Sequence, residues 1–204
     1  MALTSLGKKF SRVAPAAAAV VLIMIATGCS AGCSASVSIG KHKTGGTFDD
    51  HGVSFKIPDG WRKGGKASYG TQTGGELWSE GFGRHSGHDM VIISAYATKV
   101  AITKGNSDRY ADAVASAIKG LFAAAGGTIS SGPTSTILGG MAGYRFEGSL
   151  PMNAGDSLAS DLALVWNGHT EYYINCQHVV GGSNSADVAR GCTTIENSFK
   201  LSSG

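Results

Sequence analysis

Asn167-Gly168 is the point that most limits what this chain can become. It is the preferred pair for a tight type I′ turn, because both central positions take positive φ. It lies between two runs of strand character. Leu162 to Trp166 is largely apolar. On the return, Tyr172, Ile174 and Cys176 share one face, and Glu171, Tyr173 and Asn175 share the other. Leu158 to Cys176 is therefore expected as a β-hairpin, and the rest of the chain must cover it.

Much of that rest has the same period. Val53, Phe55 and Ile57 alternate with Ser54 and Lys56. Pro58-Asp59-Gly60 is a turn by its chemistry, since Pro presets φ and Gly accepts a positive one. Trp61 then returns the chain to the core. Gly64 to Gly75 is a glycine-rich loop, and Leu77 to Phe82 a short strand. Met90 to Thr98 is a strong strand, with Val91, Ile93, Ala95 and Ala97 on one side. Thr128 to Leu138 reads as a strand interrupted at Pro133, followed by a turn at Gly139-Gly140. After it, Tyr144 and Phe146 face one way and Arg145 and Glu147 the other.

Two segments change to helical spacing. From Asn106 to Ala125, Tyr110, Val114, Ile118, Leu121, Phe122 and Ala125 form a stripe. Ser107 is the expected N-cap, and Gly126-Gly127 the stop. Near the end, Asn184 or Ser185 caps a second helix with Val188, Cys192, Ile195 and Phe199 inside. Strands, a helix, more strands and a closing helix predict an α+β domain, an antiparallel sheet with two helices packed on it.

The first residues address the chain rather than fold it. Lys8, Lys9 and Arg12 precede an uncharged run, Ala14 to Ala26. At roughly 13 residues it suits the apolar region of an export signal and is too short to span a bilayer. Ala26-Thr27-Gly28-Cys29 resembles the lipobox of bacterial lipoproteins, with Ala26 where Leu is usual. The resemblance implies that Cys29 receives a diacylglyceryl group and becomes the new N-terminus; two or more acyl chains give stable anchoring. Residues 1–28 are thus expected as signal peptide, 29–46 as a lipidated tether and 47–204 as the folded domain. The tether is Ser, Ala and Gly with Lys41, His42 and Lys43, a composition that stays flexible, with a reach on the order of 20–25 Å.

Removing the signal also removes the charge. The formal +3 equals the three basic residues ahead of the cleavage point, so the mature part is neutral. A neutral mature chain of 204 − 28 = 176 residues, tether included, leaves a domain that can bury a real core and has no footprint for nucleic acid. With Cys29 lipidated, Cys176 and Cys192 are the natural disulfide pair in an oxidising compartment, and both fall on core-facing positions of neighbouring elements. Cys33 lies in the tether as an incidental thiol or alternative acylation site.

Three phrases carry a family resemblance. They are Gly52-Val53-Ser54-Phe55-Lys56-Ile57-Pro58-Asp59-Gly60-Trp61, then Gly143-Tyr144-Arg145-Phe146-Glu147, and Cys192 through Ser198-Phe199. Their order resembles the PsbP-like fold of actinobacterial lipoproteins of the LpqN type, over roughly residues 47 to 202. The resemblance implies a cell-envelope domain that binds protein, lipid or a small ligand, with no shared catalytic set.

Catalytic motifs are otherwise missing from the sequence. His85-Ser86-Gly87-His88-Asp89 is the nearest thing to a metal or hydrolytic site, with His51 and Asp49 as supplements. A polar connection with solvated histidines explains it as well, so no metal is expected. Gly60 to Ala67 misses the phosphate-loop pattern, because Ala67 stands where Ser or Thr must hold magnesium. Gly81-Phe82-Gly83 lacks the third glycine of a dinucleotide loop. Trp166, Tyr172 and Tyr173, like Trp61 and Trp78, line either a groove or the core. The expectation is a lipid-anchored protein on the extracytoplasmic face of the cell membrane. Its domain is not an enzyme and takes no cofactor, and its partner is an envelope protein or a small apolar ligand. The alternatives are an envelope enzyme or metal-binding domain using His85, His88 and Asp89, or a carrier of an apolar ligand.

Overall fold

The computed structural model describes residues 44–64, 75–85, 87–152 and 155–202. The signal, Cys29, Cys33, the tether up to residue 43 and the glycine-rich residues 65–74 lie outside them.

Two antiparallel sheets and two helices make up the described residues. The small sheet joins β1 (Gly46–Asp50), β2 (Val53–Ile57) and β9 (Lys200–Leu201) in the order β1-β2-β9. The large sheet joins β3 (Arg62–Lys63), β4 (Glu76–Gly83), β5 (Met90–Ile102), β6 (Thr128–Leu138), β7 (Met141–Pro151) and β8 (Ser157–Val179). Its order is β3-β4-β5-β8-β7-β6. The helices are α1 (Ala111–Ala124) and α2 (Ser185–Ser198).

β8 is long because it contains both arms of the hairpin. Its first arm pairs with β7 from Ser157 to Val165, and its second with β5 from Gly168 to Gln177. The chain doubles back between them: the Val180 N–H donates to the Ser157 carbonyl at 2.8 Å. Gly168 at the bend has φ 60°, but Asn167 does not share a positive φ, so the bend is not the type I′ turn expected at Asn167-Gly168, which needs one at both central positions.

Each face of the large sheet has its own core. On one side, Val91, Ile93 and Ala95 of β5 and Tyr172, Ile174 and Cys176 of β8 meet Phe55 of the small sheet and Val188 and Ile195 of α2. On the other, Phe146, Leu162, Leu164 and Trp166 meet Val114, Ile118 and Phe122 of α1. Adjacent residues on a strand thus serve opposite cores, as the pleat requires. Both helical stripes read from the sequence are the packed faces.

Cys176 and Cys192 are joined as a disulfide, with Cα atoms 5.9 Å apart. It binds α2 to the second arm of β8. The Asp89 carboxylate adds a second tie: Oδ1 accepts the Val179 N–H at 2.8 Å, and Oδ2 accepts Asn184 Nδ2 at 2.9 Å.

Both helix starts differ from expectation. Ser107 does not cap α1, and Ser107–Tyr110 forms a tight 3-10 turn ahead of it. The Asn106 side chain is spent on closing the loop that leaves β5: Oδ1 accepts the Thr103 N–H at 2.7 Å, and Nδ2 donates to the Ala101 carbonyl at 3.1 Å. Asn184 occupies the N-cap position of α2, but its amide reaches Asp89 instead of the helix. A short polar side chain has several partners within reach; for Asn106 local backbone groups of the loop win, and for Asn184 the distant Asp89 carboxylate.

Candidate functional site

The α1 side of the large sheet carries a feature that the α2 side lacks. Beside the apolar residues under α1 runs a strip of buried polar side chains on β4, β5 and both arms of β8. Ser79, Ser94, Ser160, Glu171, Asn175 and Gln177 are all under 9% exposed. Strand register assembles them. Ser79 stands opposite Ser94, Tyr173 opposite Ser94 on the next strand, Asn175 opposite Ile92, and Gln177 opposite Met90.

Their hydrogen bonds make two chains. In one, Ser160 Oγ donates to Asn175 Oδ1 at 2.7 Å, and Asn175 Nδ2 to Gln177 Oε1 at 3.2 Å. Gln177 Nε2 then donates to the His88 carbonyl at 3.1 Å. In the other, the Ser79 and Ser94 hydroxyls lie 2.8 Å apart, and Ser94 also bonds the Tyr96 hydroxyl. Burial leads the causes that push the Tyr96 phenol up to about 12, with the Glu76 carboxylate second.

Glu171 closes the strip at the hairpin bend. Its carboxylate is buried, accepts the Trp166 indole N–H at 2.6 Å and is bonded by Tyr173. Burial raises its pKa, and the two donors offset this only in part. Met90, Ile92 and Leu158 on the same face are fully buried, yet belong to neither core cluster among the described residues.

Chemically, the strip is a set of amides, hydroxyls and one carboxylate that satisfy one another. Each serine pairs with an amide or with another hydroxyl. The arrangement places paired hydrogen-bonding groups beside the apolar surface of Met90, Ile92 and Leu158.

The residues singled out from the sequence fall elsewhere. Asp89 spends both oxygens on the β8–α2 connection. His85 is exposed, and His88 meets the strip through its backbone carbonyl. Asp49 accepts the Ser202 hydroxyl at 2.6 Å. His51 lies at the tip of the β1–β2 hairpin with φ 54°. Its ring stacks on Trp78 at 4.9 Å, and Nε2 is 3.9 Å from Glu80. Among the described residues, the one group of three metal-ligand types whose donor atoms approach within 4.8 Å is Cys176, Cys192 and Glu196. Two of those three are already disulfide-bonded. Trp61, Trp166, Tyr172 and Tyr173 are core, on opposite sides of the sheet.

Sequence reasoning placed Asn175 beside Glu171 and Tyr173 but passed over Ser160 and Gln177. The signal was present: polar residues hold alternate positions through Tyr173-Ile174-Asn175-Cys176-Gln177, where an exposed face would have carried charge.

No family model matches the chain, and no curated protein matches it. Solved structures resemble it at low identity. A protein from Bacteroides thetaiotaomicron aligns with TM-score 0.49 and 13% identity, over 79% of this chain and 50% of that one. The chain thus spans about half the length of that protein. LpqN of Mycobacterium tuberculosis, described as involved in cell envelope biogenesis, aligns with TM-score 0.48 and 14% identity, over 78% and 91%. The solution structure of cyanobacterial PsbP from Synechocystis aligns with TM-score 0.51 and 13% identity, over 88% of this chain and 99% of that one. That last likeness shows the fold, and the domain is an α+β domain of PsbP-like architecture.

Proposed function

We propose that this is a lipid-anchored protein of the cell envelope whose domain binds or scaffolds and does no chemistry of its own. The observation that carries the location is the Cys176–Cys192 disulfide, a bond that persists in oxidising compartments outside the cytoplasm. The export signal, Cys29 and the neutral mature charge support the same place. The buried serines of the strip bond an amide or one another and not a base, which supports the reading without chemistry.

The test is the intact mass and membrane partition of the native protein beside a Cys29→Ser variant. An N-terminal mass increment of a diacylglyceryl group with an acyl chain, lost in the variant together with membrane retention, is the expected result. A secreted, unmodified protein cut elsewhere sinks the anchor. Turnover of a defined substrate, lost on a point mutation, sinks the non-catalytic part.

A second reading, carriage of an apolar ligand, is favoured by Met90, Ile92 and Leu158, buried beside the polar strip outside both cores. Native mass spectrometry of the protein from its own host tests it. A copurifying lipid supports the carrier, and a ligand-free mass with an unchanged melting temperature on adding lipid removes it.

A further inference from the structure

β6 ends the large sheet and, among the described residues, pairs only with β7. Natural edge strands are commonly blunted by charge, Pro or bulges. The first half of β6 has such devices: register shifts lie between Ile129, Ser131 and Thr134, and Pro133 has no N–H to offer. The second half has none. Thr134 to Leu138 pairs with Arg145 to Met141 without a shift. Thr134, Ser135 and Ile137 are exposed there, Ile137 by 57%. No charged residue or histidine occurs from Gly120 to Tyr144.

The direction of the free backbone groups follows from the turn. Gly139-Gly140, with φ 56° and 82°, closes a two-residue hairpin on the pair Leu138–Met141. That closing pair exchanges both backbone bonds, and bonded pairs then alternate along the ladder. Thr136 and Thr134 therefore bond inward to β7. The N–H and C=O of Ser135 and Ile137 point outward.

We propose that a second copy of this chain pairs with this edge, antiparallel, about a twofold axis at Thr136. Ser135 of one copy then lies opposite Ile137 of the other, twice. Each pair exchanges two backbone bonds, and each Ile137 covers the other copy's Ser135. The run is its own complement: it is neutral, so like meets like without repulsion, and Thr and Ile suit paired strands. The contact is short, and the association belongs to the weak, concentration-dependent class.

Self-association of the full-length chain in mild detergent, followed by light scattering over rising concentration, tests this. The wild type is expected to pass from monomer to dimer. Ser135→Pro removes an outward N–H and no bond to β7, so it weakens dimerisation about 10-fold or more at an unchanged melting temperature. Thr136→Lys and Thr136→Glu each abolish the dimer, because like charges meet on the axis, and an equimolar mixture of the two restores it. A wild type that stays monomeric throughout overturns the proposal. So does a dimer indifferent to both sets of variants.

Discussion

Gly191 of α2 lies flat against the Trp61 indole. A Cβ built on Gly191 would come within 2.8 Å of Trp61 Cε2 and closer still to the outer ring. Trp61 follows the Pro58-Asp59-Gly60 turn and is 1% exposed, so it has no room to retreat. The glycine lets α2 settle onto the sheet beside the disulfide. Ala is otherwise the better helix residue by about 1 kcal/mol. Here overpacking wins, and Gly191→Ala is expected to cost a net ~1–3 kcal/mol. Chemical denaturation checks it, and a variant as stable as wild type would mean that α2 shifts without cost.

That contact illustrates what the sequence could and could not convey. Trp61 was legible as a returning core residue and Gly191 was not, because a glycine needed for close approach has no periodicity to betray it. The hairpin at Asn167-Gly168, both helical stripes and the facing cysteines were legible, since each rests on a local period or turn chemistry. The separate small sheet was not: β9 is two residues long and finds β2 far away in sequence. The polar strip was legible only in pieces, because Ser79, Ser94, Ser160 and Asn175 become neighbours through strand order. The helix caps misled for two reasons: a 3-10 turn runs from Ser107 ahead of the first helix, and Asn184 spends its amide on distant Asp89.

Arg145 joins β7, β8 and α2 through two carboxylates. One guanidinium nitrogen donates to Asp161 Oδ2 and another to Glu196 Oε1, both at 2.6 Å. Burial pushes both acids above their usual values, and the arginine only partly offsets it. Arg145→Met leaves two half-buried carboxylates without a cation. Partial exposure of the site tempers the loss, which is expected to be ~1–3 kcal/mol at neutral pH. Both carboxyls have raised folded-state pKa values, so protonation favours the fold, and the deficit shrinks as pH falls towards the ordinary carboxylate range. Urea unfolding of the variant at neutral and acid pH measures this. A deficit independent of pH would assign the cost to lost packing.

Glu171 is a buried carboxylate with donors but, among the described residues, no cation partner, a costly arrangement for the charged form. Its raised pKa fixes the sign. The stability it contributes is full below the ordinary value of 4.5 and is lost as pH rises through the higher folded-state value. Each unit of separation corresponds to ~1.4 kcal/mol. Glu171→Gln keeps an acceptor for the Trp166 N–H and removes the charge. It is expected to be more stable than wild type at pH above neutral and equal to it in acid. Melting curves across pH decide the matter, and a variant less stable at every pH would show that the ionised carboxylate is needed by Trp166 and Tyr173.

The Cys176–Cys192 bridge closes a loop with a sequence separation of 16. In the chain-entropy account, a loop of this size is worth ~3 kcal/mol through the unfolded state. The bridge has a further role here, because α2 also carries Glu196 to Arg145 and Gly191 to Trp61. Cys176→Ala with Cys192→Ala is therefore expected to lower stability by ~3 kcal/mol and to loosen α2 ahead of the sheet. Hydrogen exchange separates the two effects. Amides of α2 that exchange earlier than those of β5 and β8 in the double variant support a clamp on the helix. Uniform acceleration across the domain would leave only the entropic contribution. The ties from Asp89 to Val179 and Asn184 hold the start of α2 in the variant, and those from Arg145 to Glu196 and from the Lys56 N–H to Ser198 hold its end, so the earliest exchange is expected around Cys192.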